Sequence, residues 1–175
     1  GDVEPGRCPA MLTIHSQEDT TVASATPTEE FDPRWWNWGT HDSKPRFLHT
    51  MIRVRDFDAA LRFYVEGVGM KQLSERFDVE ARRVTAVYLG FTDYAAGGCL
   101  ELVRRWDVDV PYTHGTGYGH ICIGAPDVEA MLAKLVAMGG KVTLPPTRLM
   151  AGAPYVAFLE DPEGYSIELI QTRRS

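Results

Sequence analysis

A chain of 175 residues, 44% hydrophobic and 24% charged, has the size and composition of one ordinary soluble domain. Its net charge of −6 gives no support to binding of nucleic acid or of an anionic membrane, and no run of 18 apolar residues exists to span a bilayer. Cys8, Cys99 and Cys122 are scattered without CxxC spacing and no secretory signal is visible, so a reduced, cytoplasmic setting is expected.

Residues 1–45 read as an arm. Positions 16–30 are rich in Ser, Thr and Glu and show no clear period, and Trp35, Trp36 and Trp38 follow. The plain expectation is a surface arm whose aromatics pack on the domain or on a second subunit; the sharper one is a lid over a site. From residue 46 to 175 the pattern is that of a folded domain. Residues 47–54 alternate like a strand. Asp56 is placed to cap a helix in which Phe57, Ala60, Leu61, Tyr64, Val65 and Val68 form one apolar stripe, closed by Gly67 and Gly69. Strands are expected near 70–76, 83–91 and 98–105. The order then recurs: a strand at 119–124, Asp127 as cap, a helical stripe of Val128, Met131, Leu132, Leu135 and Val136, the stop Gly139-Gly140, and strands near 141–144, 154–160 and 165–171. Asp161-Pro162-Glu163-Gly164 reads as a hairpin turn.

The recurrence is an internal repeat. Leu48-His49-Thr50-Met51-Ile52-Arg53-Val54 and Gly119-His120-Ile121-Cys122-Ile123-Gly124 each place an Asp seven residues after the His. Cys99-Leu100-Glu101-Leu102-Val103 closes the first half and Ser166-Ile167-Glu168-Leu169-Ile170 the second. Each half, about 46–105 and 117–171, reads βαβββ. The fold class is therefore α+β: two tandem βαβββ modules whose helices cover one face and whose other faces curl around a cleft. Glu101 and Glu168 sit at the centre of apolar strands, where a carboxylate is costly unless paired, hydrogen-bonded or bound to metal. Taken singly, a strand His is more often structural, and Arg53 or Arg105 can pair with a buried Glu. Four residues at equivalent places of a repeat point instead to a shared metal site at a pseudo-twofold axis. Two imidazoles and two carboxylates suit Ni²⁺, Co²⁺, Zn²⁺, Fe²⁺ or Mn²⁺ and argue against thiolate-type structural zinc.

The motifs LHTMIRVRD with FY and GVGM after it, CLELVRRW, GYGHICI and FLEDPEGYSIELIQ resemble those of glyoxalase I (lactoylglutathione lyase), in the vicinal-oxygen-chelate superfamily, over about residues 47–171. The resemblance places the metal ligands on His49, Glu101, His120 and Glu168. His at the first position resembles the bacterial class that prefers Ni²⁺ or Co²⁺, with Zn²⁺, Fe²⁺ or Mn²⁺ as alternatives. It implies isomerisation of the glutathione–methylglyoxal hemithioacetal to S-lactoylglutathione, with Glu168 as the proton-carrying base and Glu101 its pseudo-symmetric counterpart. A cleft built from paired βαβββ units often needs a second chain, so a homodimer with sites at the interface is expected.

The thiol-binding half departs from the family pattern. Arg53 stands where an Arg helps to bind glutathione. Arg105 replaces the usual Asn of ELxxNW, and Leu149-Met150-Ala151-Gly152, with Arg148 nearby, replaces a Lys-Gly-Gly-like loop. Arg105 or Arg148 can supply the lost carboxylate contact. Trp106 and Tyr118 are expected to line the pocket or to serve as hydrophobic wall. Cys99 and Cys122 share strand faces with Glu101 and His120 and read as small apolar filler; His114 is expected to face solvent, and His15 and His41 fall in the arm. Two rivals stand beside isomerisation. One is another enzyme of the superfamily, a dioxygenase, epimerase or thiol transferase; the other is a non-enzymatic ligand-binding protein of the same fold.

Overall fold

The computed structural model describes residues 45–94 and 96–172. The Trp-rich arm, with the readings of Trp35, Trp36 and Trp38, lies outside the described residues.

In the first half β1 (His49–Arg53) leads to α1 (Phe57–Arg62), and Asp56 caps it by accepting the Ala59 N–H at 2.9 Å. The helix reaches Val68 as expected, but Phe63–Val68 is wound as a π-helix. Phe63, Tyr64, Gly67 and Val68 are all buried, a wider apolar face than an α-helical stripe presents. The strand expected at 70–76 splits into β2 (Lys71–Gln72) and β3 (Phe77–Val79). Its continuity is lost where the Ser74 hydroxyl, rather than a main-chain carbonyl, accepts the Tyr88 N–H at 3.1 Å. The half closes with β4 (Val84–Gly90) and β5 (Cys99–Arg105). The second half comprises β6 (Ile121–Ala125), α2 (Val128–Ala137), β7 (Lys141–Thr147), β8 (Val156–Glu160) and β9 (Ser166–Gln171).

The two halves share one topology. The first sheet runs β1-β5-β4-β2, with β3 also on β4, and the second runs β6-β9-β8-β7. In each, the strand before the helix lies parallel to the last strand of its half: β1 beside β5, β6 beside β9. The α+β reading of paired βαβββ modules is what the chain adopts.

Ile52, Val54, Leu100 and Leu102 of the first sheet join Ile123, Ala125, Ile167 and Leu169 of the second, together with Phe63, Tyr64, Leu132 and Leu135 of the helices, in a single core. Polar ties cross between the halves as well. Tyr64 donates its hydroxyl to Asp161 at 2.8 Å. Glu163 accepts from the Arg55 and Asp56 N–H groups, both at 3.0 Å, and from the Arg55 side chain at 3.1 Å. Among the described residues no helix is long and apolar enough to cross a membrane.

Candidate metal centre

Strand alternation sends each His and Glu to the face opposite the core. On β5, Leu100 and Leu102 enter the core, so Glu101 faces the other way; on β9, Ile167 and Leu169 do the same for Glu168. His49 Nε2 stands 3.3 Å from Glu101 Oε2, and His120 Nε2 stands 3.1 Å from Glu168 Oε2. The carboxylates are largely covered, at 16% and 15% exposed, whereas the imidazoles are 32% and 42% exposed. Each half therefore presents one nitrogen and one oxygen donor side by side at an accessible edge.

Within one chain the four donors stand as two separate pairs. Among the described residues no group of three or more His, Cys, Asp or Glu is close enough to hold an ion. The helices and the apolar faces of both sheets share the core, so the two donor pairs lie on the outward faces of two separate sheets. Each pair alone fits a divalent ion in chemistry, with hard or borderline N and O donors already converged. Each supplies only half of a four-ligand set.

The two half-centres differ in their neighbours, although their backbones match. Tyr88 on β4 lies opposite Glu101, and its hydroxyl hydrogen-bonds that carboxylate. The equivalent place opposite Glu168 is Phe158, whose ring meets His120 edge-on at 5.4 Å. Cys122 pairs with Glu168 in the β6–β9 register, where Met51 pairs with Glu101. Burial raises the Cys122 thiol above its ordinary range, and its hydrogen bond to Glu168 adds to the rise. Cys99 is buried and pushed up to about 11, first by burial and then by the Glu101 charge. Both thiols are poor nucleophiles as they stand. Tyr88 and Phe158 were invisible in the chain because cross-strand register, not sequence spacing, sets them beside the carboxylates.

The residues expected to bind substrate fall into two groups. Arg105 is engaged by Asp107 through two contacts, at 3.0 and 2.8 Å. Arg148 donates to the Ala153 carbonyl at 2.6 Å and covers the Tyr155 ring. Trp106 donates from Nε1 to Thr85 Oγ1 at 2.9 Å, with Arg83 over its ring, and is not among the residues lining the cavity described next. Arg53 does line it: a cavity of about 220 Å³ bounded by Met51, Arg53, Tyr112, Thr113, His114, Tyr118 and Tyr165. The solvent-facing expectation for His114 is corrected here. Its ring stacks on Tyr165, centroids 4.1 Å apart and planes 24° from parallel, because the segment joining the two halves folds back over the turn before β9.

The fold has counterparts among known proteins. Residues 46–169 match the model of the Glyoxalase/Bleomycin resistance protein/Dioxygenase superfamily. The lactoylglutathione lyase of Haemophilus influenzae is 40% identical over 128 residues, which cover 73% of this chain and 93% of that protein. The crystal structure of glyoxalase I from Zea mays superposes with a TM-score of 0.68 at 37% identity, covering 74% of this chain and 46% of that one. This chain thus spans about half the length of the maize enzyme. The trypanothione-dependent glyoxalase I of Leishmania major gives a TM-score of 0.62 at 38% identity, covering 73% and 86%. With the repeat, the two parallel-closed sheets and the matched His–Glu pairs, these likenesses place the chain in the Glyoxalase/Bleomycin resistance protein/Dioxygenase superfamily.

Proposed function

We propose that this protein is a lactoylglutathione lyase, converting the hemithioacetal of glutathione and methylglyoxal into S-lactoylglutathione. The carrying observation is the pair of accessible His–Glu half-centres at equivalent places of the repeat, in a chain 40% identical to a lactoylglutathione lyase over nearly all of that enzyme. Because each chain offers two half-centres that do not meet, the proposed working unit is a homodimer. In it, the His49–Glu101 face of one protomer is completed by the His120–Glu168 face of its partner. The proposed ion is Ni²⁺ or Co²⁺. When bound, a divalent ion supplies a Lewis acid for the substrate oxygens.

The chain's own residues account for the proton transfer. Glu168 Oε2 takes the proton from C1 of the hemithioacetal and returns it to C2, so that the hydroxyl and carbonyl exchange places and no atom is gained or lost. Its setting supports that assignment. Glu101 is held by the Tyr88 hydroxyl, whereas Glu168 faces Phe158 and a thiol, a weak donor. The less tethered carboxylate is the freer to move during the reaction. The Arg53 guanidinium, on the His49 face of β1 and in no ion pair among the described residues, is the proposed anchor for the thiol.

A second reading concerns the thiol alone. Arg105 is neutralised by Asp107, which favours a thiol whose polar end differs from that of glutathione. The assay that tests both follows thioester formation by ultraviolet absorbance with metal-free protein, titrated separately with Ni²⁺, Co²⁺ and Zn²⁺. Strong turnover of the glutathione hemithioacetal with Ni²⁺ or Co²⁺ is expected. No turnover with any metal, in protein shown to bind one, overturns the glutathione assignment.

A further inference from the structure

We propose that Tyr112 and His114, in the segment joining the two halves, complete with Arg53 a subsite for a carboxylate at one end of the thiol substrate. This inference rests on the lactoylglutathione lyase reading for the identity of the thiol. It rests on the cavity itself for the chemistry.

The cavity's polar inventory is uneven. The Tyr118 hydroxyl is occupied, donating to the Ser166 carbonyl at 3.1 Å. That of Tyr165 is doubly occupied, donating to the Arg53 carbonyl at 3.0 Å and accepting the Arg53 N–H at 3.2 Å. By contrast Tyr112 Oη and His114 Nε2 are both buried and without a hydrogen-bond partner. Buried polar atoms are nearly always satisfied, and two orphans in the wall of one cavity mark a place where a ligand supplies the partner. The third polar group there is the Arg53 guanidinium. A phenol, an imidazole and a guanidinium around one space together select an anionic acceptor, and a planar carboxylate matches the guanidinium fork.

The surrounding charges do not oppose this. The acidic groups nearest Tyr165 are already engaged, Asp161 by Tyr64 and Glu163 by Arg55. The His114 ring is held in place by its stack on Tyr165, so its edge is set in advance of binding.

Size and position agree with one end of a tripeptide. At about 220 Å³ the cavity is smaller than a pocket that encloses a whole ligand, typically ~300 Å³ or more. Arg53 lies four residues along β1 from His49, ~13 Å at the rise of a strand. His49 and Arg53 share one face of β1, so the cavity lies along the same strand face as the His49–Glu101 pair.

The test is calorimetric binding of S-methylglutathione, a stable thioether, to the metal-loaded full chain. Two further ligands differ from it by one group: one has the glycyl carboxylate as an amide, the other lacks the γ-glutamyl α-carboxylate. The variants are Tyr112→Phe, which removes one oxygen, and His114→Phe, which keeps the stack on Tyr165. Each is expected to weaken S-methylglutathione about tenfold, as for loss of one hydrogen bond to a charged group. One of the two altered ligands is expected to bind wild type and variants alike, which identifies the carboxylate held. Variants that bind S-methylglutathione as wild type does overturn the proposal, as does an equal loss for all three ligands or no binding to wild type. Failure of the isomerase reading is separate: the binding pattern then holds while wild type forms no thioester.

Discussion

Glu101 and Glu168 occupy equivalent positions of the repeat, yet one residue across the sheet makes them chemically different. A tyrosine hydroxyl bonds Glu101, and a phenyl ring stands opposite Glu168. Glu168→Gln keeps the size and one oxygen donor but removes the base. It is expected to lower kcat by ~10²–10⁴-fold, the usual contribution of a positioned base, while the thermal unfolding midpoint stays within a few degrees of wild type. Steady-state kinetics beside metal analysis of the same preparation check it. Full turnover in a variant that retains its metal removes Glu168 from the role. Of these features, the chain displayed the two carboxylates in apolar strands. It did not display Tyr88 or Phe158, because each lies in a different strand whose register is set by pairing over the whole sheet.

The helices settle what each half can touch. α2 ends in a Schellman motif: Gly140 N–H reaches the Leu135 carbonyl at 2.9 Å, Gly139 N–H reaches that of Val136 at 3.1 Å, and Gly139 has φ of +96°. Gly139→Ala forces a Cβ into the left-handed region and is expected to cost about 1–2 kcal/mol in chemical denaturation, with Gly139→Asn costing less. The π-wound end of the first helix brings Gly67 against α2. A Cβ there would stand 2.9 Å from Leu135 Cδ2 and 3.0 Å from Met138 Sδ. Both helices were legible from their apolar stripes and caps. The π-winding was not, since a stripe of buried residues specifies a face and leaves the hydrogen-bond step open. The split of the third predicted strand was hidden for a similar reason: whether Ser74 bonds a neighbouring strand depends on where that strand lies.

At the scale of the molecule, one core holds the inner faces of both sheets and leaves the two donor pairs on separate outer faces. The proposed dimer joins half-centres from different protomers, which makes a distinctive prediction. Mixing inactive His49→Ala with inactive Glu168→Gln, after partial unfolding and refolding together, is expected to restore about a quarter of wild-type activity. Half the dimers are then mixed, and each of these holds one site with neither substitution. Sites completed within a single chain give no recovery. Size-exclusion chromatography with light scattering on the same samples reports the dimer directly.

By itself the sequence determined the repeat, the βαβββ order of each half, the caps of both helices and the His and Glu residues at equivalent places of the two halves. Those features are local or periodic: strand alternation, a helical stripe and a cap are each written within a few residues, and a duplication repeats them. Only the tertiary structure decided that the four donors form two pairs in one chain, that Tyr88 and Phe158 distinguish the two carboxylates, and that His114 turns inward onto Tyr165. These depend on packing between segments distant in the chain, where burial of both sheets' apolar faces against the helices outweighs any local preference.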